Sequence, residues 1–194
     1  MHKLDTNFPV WERVFMVAPL VLIGTNDAQG QPNLAPKHMA GPASWDNFFG
    51  FVCARSHTTW KNANRSGTFA VSYPRPEQVL QTALAASPCQ AESPKAEILN
   101  RLALKPAPLH GDPFLEDALL HLECELHQQV EIGGNVLLIG KVVSAAVHPQ
   151  ALRHSDADEH EQIHHCPLLA YLPPGRYAVI DESQAFPFPR NYQR

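Results

Sequence analysis

The stretch S-H-T-T-W-K-N-A-N-R-S-G-T-F-A-V-S-Y-P, running from Ser56 to Pro74, changes its periodicity halfway along. Ser56, Thr58 and Thr59 offer hydroxyl caps, and Thr59–Arg65 reads as a short helix stopping at Gly67, a residue suited to the left-handed C′ position. Thr68–Ser72 then alternates as a strand and stops at Pro74. Directly upstream, Phe48–Ala54 (FFGFVCA) is a strand apolar enough to be buried on both faces. A helix therefore begins where one strand ends and hands the chain to another.

Outward from this unit the chain reads mostly as strands. Val17–Thr25 and Pro32–His38 flank the turn signal Asn26–Gly30 and form a hairpin. Leu119–Val130 and Val136–Val147 form the clearest hairpin, turning at Gly133-Gly134-Asn135. Between them, Arg75–Asp117 is a helical excursion. Glu77–Ala86 and Glu92–Leu102 have helical composition, and Pro88, Pro94, Pro106, Pro108 and Pro113 punctuate the segment. Asp156–His165 reads as a polar loop, Leu168–Leu172 as a last strand, and Ala185–Arg194 as a loose tail. The fold class is mainly β with helical excursions: one antiparallel barrel, because closing the sheet removes its edges. Residues 1–194 are expected to form one domain.

Composition narrows the function. Hydrophobic residues make up 44% and charged residues 18%, as expected of a globular core under a wet surface. A net charge of −4 gives no basic footprint for nucleic acid. The 18 prolines favour short strands and irregular connections over a long-helix bundle. Cys53, Cys89, Cys124 and Cys166 form no CxxC pair, and three of them sit in apolar stretches as buried thiols. The first residues contain no apolar signal region. The longest apolar run, Val14–Gly24, is broken by Pro19 and falls short of the roughly 20 residues a bilayer requires. No membrane association and a cytoplasmic, reducing setting are the expectations.

The start of the Thr59–Arg65 helix is the candidate site. Such a terminus presents unpaired N–H groups and the positive end of the helix dipole, which suit a phosphate. Arg55, Ser56, His57, Thr58, Thr59 and Lys61 surround it with cations and hydroxyls. An ordinary helix cap beside surface charges explains the same local composition.

Three motifs together resemble the flavin reductase-like family of FMN-binding split-barrel proteins. They are D-A-Q-G-Q-P-N-L-A-P (Asp27–Pro36), S-W-D (Ser44–Asp46) and the Ser56–Pro74 stretch. L-E-C-E-L (Leu122–Leu126), the G-G-N turn, I-G-K-V-V (Ile139–Val143) and the P-L-L-A-Y-L…R-Y-A ending look similar as well, so the resemblance covers most of residues 10–180. It implies an antiparallel Greek-key split barrel that binds FMN. By it, Asn33, Ala35, Pro36, Lys37 and His38 lie beside the flavin ring. Cys53, Arg55, Ser56, His57, Thr59, Lys61 and Asn62 lie beside the ribityl chain and phosphate. His57 stands where the family commonly has Arg or Lys, and His38 where it often has a small hydroxyl residue.

The resemblance also implies a homodimer and an oxidoreductase of flavin reductase type. Hydride would pass from NAD(P)H, a transient co-substrate, to the flavin for a downstream acceptor such as a partner oxygenase. The alternative is a non-catalytic FMN electron carrier of flavoredoxin type, reduced by a protein partner. Lys37 is the candidate cation for the flavin's N1–C2=O edge, and equally a solvated lysine on a strand edge. No catalytic side chain is assigned, and no GxGxxG encodes a Rossmann nicotinamide site. His160 and His164 are spaced i, i+4, but no HExxH accompanies them, and a solvated acidic loop is the preferred explanation over a metal site. His110-Gly111-Asp112 reads as a turn, and Trp11, Trp45 and Trp60 as packing residues.

Overall fold

A curled antiparallel sheet of seven strands carries the fold, with its two edge strands consecutive in sequence yet unpaired. The computed structural model describes residues 1–87, 95–154 and 157–189. In chain order the strands are β1 Ala18–Pro19, β2 Val21–Asn26, β3 Pro32–Lys37, β4 Ala40–Pro42, β5 Phe48–Cys53, β6 Thr68–Tyr73, β7 Leu104–Pro106, β8 Pro113–Leu115, β9 Leu120–Ile132, β10 Asn135–Val147, β11 Leu168–Leu172 and β12 Arg176–Ile180. The helices are α1 Thr58–Ser66, α2 Val79–Leu84, α3 Lys95–Arg101 and α4 Glu159–His165. The large sheet runs β3-β2-β6-β9-β10-β5-β4, which makes the expected split barrel with its opening between β3 and β4. β1, β11 and β12 form a second small sheet, and β7 and β8 a third.

The sheet curls because its longest hairpin is irregular. β9 and β10 shift register at Ile139/Gly140 and again at Val142/Ser144, and such bulges bend a strand and sharpen its twist. Gly140 sits at the first shift for a steric reason. A Cβ there would lie 2.5 Å from the Phe69 ring, which fills the inside of the curl. Phe49, Phe51, Phe69, Val71, Cys124 and Leu138 pack together there, with Phe51 and Phe69 edge to face at 5.1 Å.

Strands buried on both faces include β2 and β6, not the Phe48–Cys53 strand. Val21 and Ile23 point into the curl, while Leu22 faces Leu34, Ala85, Leu99 and Leu115 beneath the excursion. In β5, Phe48 and Val52 stay partly exposed because no layer covers their face. Gly24 lets the excursion sit down on β2: a Cβ would stand 1.8 Å from the Pro113 carbonyl oxygen. The excursion holds a β7–β8 hairpin besides α2 and α3, so its expected helical character is only part of it. Of the expected Glu92–Leu102 helix, Lys95–Arg101 forms, and residues 92–94 lie outside the described residues.

Three further expectations need correction. Val17–Thr25 is broken after Pro19, so β1 pairs with β11 and β2 joins the large sheet. The polar segment near residue 160 is a helix, since the Asp158 side chain accepts from the His160 and Glu161 amides and caps α4. Trp45 is 98% exposed and Trp11 about half exposed, so neither is a packing residue. The expected strand Leu168–Leu172 is present, and β12 follows it as a strand the sequence reading lacked. Cys53, Cys124 and Cys166 are free and buried, and burial pushes the Cys124 thiol up to about 12. Cys89 and residues 190–194 of the tail lie outside the described residues.

Candidate functional site

α1 begins where β5 ends, and its start is open. His57 is the N-cap residue, its side chain makes no capping hydrogen bond, and the expected hydroxyl cap does not form. The His57 amide donates to the Ala54 carbonyl at 3.0 Å, which fastens the helix start to the end of the strand. The Thr58 and Thr59 amides belong to the first helical positions, which have no partner within a helix. At the other end Gly67, with φ of 75°, donates its amide to the Ala63 carbonyl and closes the helix as expected.

A buried amide–hydroxyl network aims this terminus over β3. Asn33 Nδ2 donates to Thr25 Oγ1 and to Thr59 Oγ1, each at 3.2 Å, and Asn62 Nδ2 donates to Thr25 Oγ1 at 3.2 Å. All four residues are buried. Accepting from Asn33 leaves Thr59 its hydroxyl hydrogen as a donor. Asn62 therefore works from beneath the site.

Between this terminus, β3 and the excursion lies a cavity of about 460 Å³. Asn33, Ala35, Pro36 and Lys37 form its floor and Ser56–Thr59 one wall. Ala85–Ser87, just past α2, and Lys95, at the start of α3, form the facing wall. A second cavity of about 300 Å³ continues from it over Pro36 and Lys37 to His38, Tyr171 and Arg176. Together they make a trough that follows β3, of the size usual for small-molecule sites.

Among the described residues, the first cavity is lined by two lysines and by no acidic residue. Lys95 is only 5% exposed, a cation carried in on the excursion. Lys37 lies between the two cavities and sets the local field. Burial first, and Lys37 second, lower the pKa of both His38 and His57 below the ordinary histidine value. Both rings are thereby held neutral at neutral pH, available as hydrogen-bonding groups while the lysines supply the charge. Burial raises the Cys53 thiol against the smaller opposing effects of Lys37 and the Trp60 amide. Its sulfur lies 3.7 Å from His57 Nδ1.

Of the residues named from sequence, Asn33, Ala35, Pro36, Lys37, Ser56, His57 and Thr59 line the first cavity and His38 the second. Cys53 and Asn62 support α1 from below. Arg55 and Lys61 stand outside the lining. The Arg55 side chain is 54% exposed, pairs with Glu131 and lies over the Trp60 ring at 5.1 Å. Lys61 is on the exposed side of α1. Lys95 and Arg176 were missed, and Thr58, named with the helix start, lines the first cavity as well. Thr58 was in view as a cap, whereas nothing local to Lys95 or Arg176 says which strand they face.

A family model described as Flavin reductase like domain matches residues 13–174. The chain belongs to the flavin reductase-like family. Solved structures with the same fold include flavoredoxin of Desulfovibrio vulgaris (Miyazaki F), at TM-score 0.78 and 18% identity over 98% of this chain and 100% of that one. Nitrilotriacetate monooxygenase component B from Bacillus cereus superposes at TM-score 0.81 with 19% identity, covering 96% and 98%. An FMN-binding protein from Thermus thermophilus, solved with bound 1-cyclohex-2-enone, superposes at 0.75 with 18% identity, covering 95% and 98%. No helix among the described residues is long and apolar enough to cross a membrane. Those residues also contain no His/Cys/Asp/Glu group able to hold a metal, so His160 and His164 form no centre there.

Proposed function

We propose that this chain is an FMN-binding oxidoreductase that takes hydride from NAD(P)H for a downstream acceptor. The observation that carries the reading is the first cavity: an open helix N-terminus, hydroxyls and two lysines, with no acidic residue among the described residues that line it. That donor set suits a phosphate monoester, because a dianion gains from the helix dipole and from both ammonium groups.

The Ser56–Thr59 turn and Lys95 would hold the phosphate, and Asn33–His38, Lys37 among them, would flank the ribityl chain and ring. Cys53 and Asn62 keep the turn in place, while Arg55 and Lys61 add to the positive field at its rim. When bound, FMN supplies a ring that accepts hydride from a reduced nicotinamide stacked on it and passes the electrons on. Lys37 at the junction of the two cavities favours negative charge on that ring. The two neutral histidines leave the lysines as the nearest fixed charges, so positioning and field are this chain's contribution.

Nitrilotriacetate monooxygenase component B supports a reductase that feeds a partner oxygenase, and the flavoredoxin supports the carrier reading. Steady-state NAD(P)H oxidation by the FMN-loaded protein separates them, since a carrier turns over only with its reducing partner. A homodimer belongs to the same proposal. Phe15 and Val17 are each 72% exposed, and with the bare Trp45 they are surface that a second copy would cover. A cytoplasmic setting is supported by the free buried thiols.

The direct test is spectroscopic. The purified chain, or the chain mixed with FMN at micromolar concentration, is expected to show a flavin spectrum and to release FMN on denaturation. No binding at that concentration removes the proposal. Sedimentation velocity is expected to give a dimer, and a flavin-bearing monomer would remove the dimer alone.

A further inference from the structure

The second cavity carries more positive charge than a flavin needs. Among the described residues, Lys37 and Arg176 line it, no acidic residue does, and neither cation has an ion-pair partner. If FMN is held as proposed above, its phosphate lies with Lys95 and its ring lies along Lys37. Arg176, reaching in from β12, then has no anion assigned to it.

The rest of the lining describes the shape of the missing ligand. His38 and Tyr171 form a ring pair with centroids 4.9 Å apart, and Tyr177 stands beside Arg176 on β12. Leu20, Val79 and Ala83 supply apolar surface. A volume of about 300 Å³ admits one or two rings and is too small for a whole dinucleotide. Aromatic and aliphatic walls favour a flat unsaturated body, and a guanidinium favours a planar bidentate anion.

We propose that this cavity is a second ligand site, taking a planar ring that bears a carboxylate, with Arg176 as its anion-binding group and Lys37 as its link to the flavin. The location next to the proposed ring position makes such an aromatic or conjugated acid the class of molecule presented to the flavin. The claim rests on the proposed function for that last step only. Binding of the acid itself depends on Arg176 and its neighbours.

Benzoate and benzamide serve as probes, being equal in shape and different in charge. Titrations followed by NMR of the flavin-free protein, and by the flavin absorption spectrum of the FMN-loaded protein, are expected to show benzoate binding more tightly than benzamide. Arg176→Gln is expected to weaken benzoate about tenfold, the loss of one charge-assisted contact at a partly wet site. The same variant should leave benzamide unchanged and thermal stability near that of wild type. Arg153→Gln, which neutralises an exposed arginine elsewhere, should leave both probes unchanged. The proposal is overturned if benzoate binds no better than benzamide, if Arg176→Gln leaves benzoate binding intact, or if FMN and benzoate exclude one another. That last result would make the cavity the ring's own seat. A protein that binds benzoate through Arg176 but never binds FMN would instead sink the proposed function and keep this site.

Discussion

The two walls of the first cavity are built in different ways. The α1 wall is local: residues 53 to 67 are continuous, and its ties run to the adjacent hairpin through Asn33, Thr25 and Asn62. The excursion wall is held from far away. Glu123, 2% exposed on β9, accepts from the Leu109 and His110 amides at 2.8 and 3.2 Å. Asp112 accepts from the Asn26 amide and from the Thr68 hydroxyl, and Ser72 Oγ accepts from the Leu115 amide. One wall can form with its own segment, whereas the other exists only once the sheet is assembled. Lys95 belongs to the second kind, so the phosphate end of the site depends on tertiary structure.

The sharpest way to break this contrast is a methyl group under the excursion. Gly24→Ala puts a Cβ into the Pro113 carbonyl, which is backbone and has no rotamer to change. A cost of about 3 kcal/mol or more is expected, read from urea midpoints, together with loss of the Lys95 contribution to FMN binding. Gly67→Ala at the end of the α1 wall meets open space and strains only a left-handed φ. It should cost about 1–2 kcal/mol. Equal losses would mean that the excursion is not seated through Gly24.

A milder break is the buried carboxylate. Glu123→Ala removes the acceptor of two amides and should destabilise by about 1–3 kcal/mol in the same assay. Glu123→Gln keeps an acceptor oxygen and should recover most of that loss. Among the described residues Oε1 accepts no hydrogen bond, and both amide contacts run to Oε2. Failure of Gln to rescue would show that the charge matters.

This difference also explains what could be seen in the sequence. The α1 wall was legible because its signals are neighbours in the chain: a strand, a polar turn, Gly67 and another strand. The curled sheet and the β9–β10 hairpin were legible for the same reason. Breaks set by partners were not. Pro19 splits one apolar run between two sheets because β11 takes half of it. α4 forms because Asp158 caps it, a fact hidden in a segment that reads as simply polar. The site residues divide alike. Ser56–Thr59 were found by pattern and Asn33 through the family resemblance, whereas Lys95 and Arg176 enter the trough only through long-range packing. Arg55 was the obvious cation by adjacency, yet Glu131 and Trp60 engage it.

The two cations sharpen the point at the level of binding. Lys95→Gln is expected to weaken FMN about tenfold to a hundredfold and riboflavin hardly at all, because only FMN carries the phosphate. Arg55→Gln, on an exposed and already paired side chain, should change FMN affinity by less than about threefold. Titrations of both ligands against both variants decide it. The reverse order would return the anchor to the α1 side.

The smallest effect distinguishes the walls by their histidines. His38 and His57 face the trough, whereas His121 lies under the excursion, stacked on Phe114 at 4.4 Å and donating from Nε2 to the Leu115 carbonyl at 2.7 Å. All three titrate below the ordinary histidine value of 6.5, with burial the largest cause. A depressed folded value means that the unfolded chain takes up protons first as pH falls. Stability is therefore fully present above 6.5 and declines as pH drops from there through each folded value, least through His57, which is exposed and screened by solvent. FMN should act on one wall only. A phosphate beside His57 favours the imidazolium and should move its titration upward, and that of His38 by less, while His121 stays where it was. Ring-proton NMR titrations with and without FMN read the three shifts separately. A shift at His121 equal to that at His57 would mean that FMN reorganises the excursion instead of meeting the α1 wall. No shift at any of them would place the phosphate away from α1.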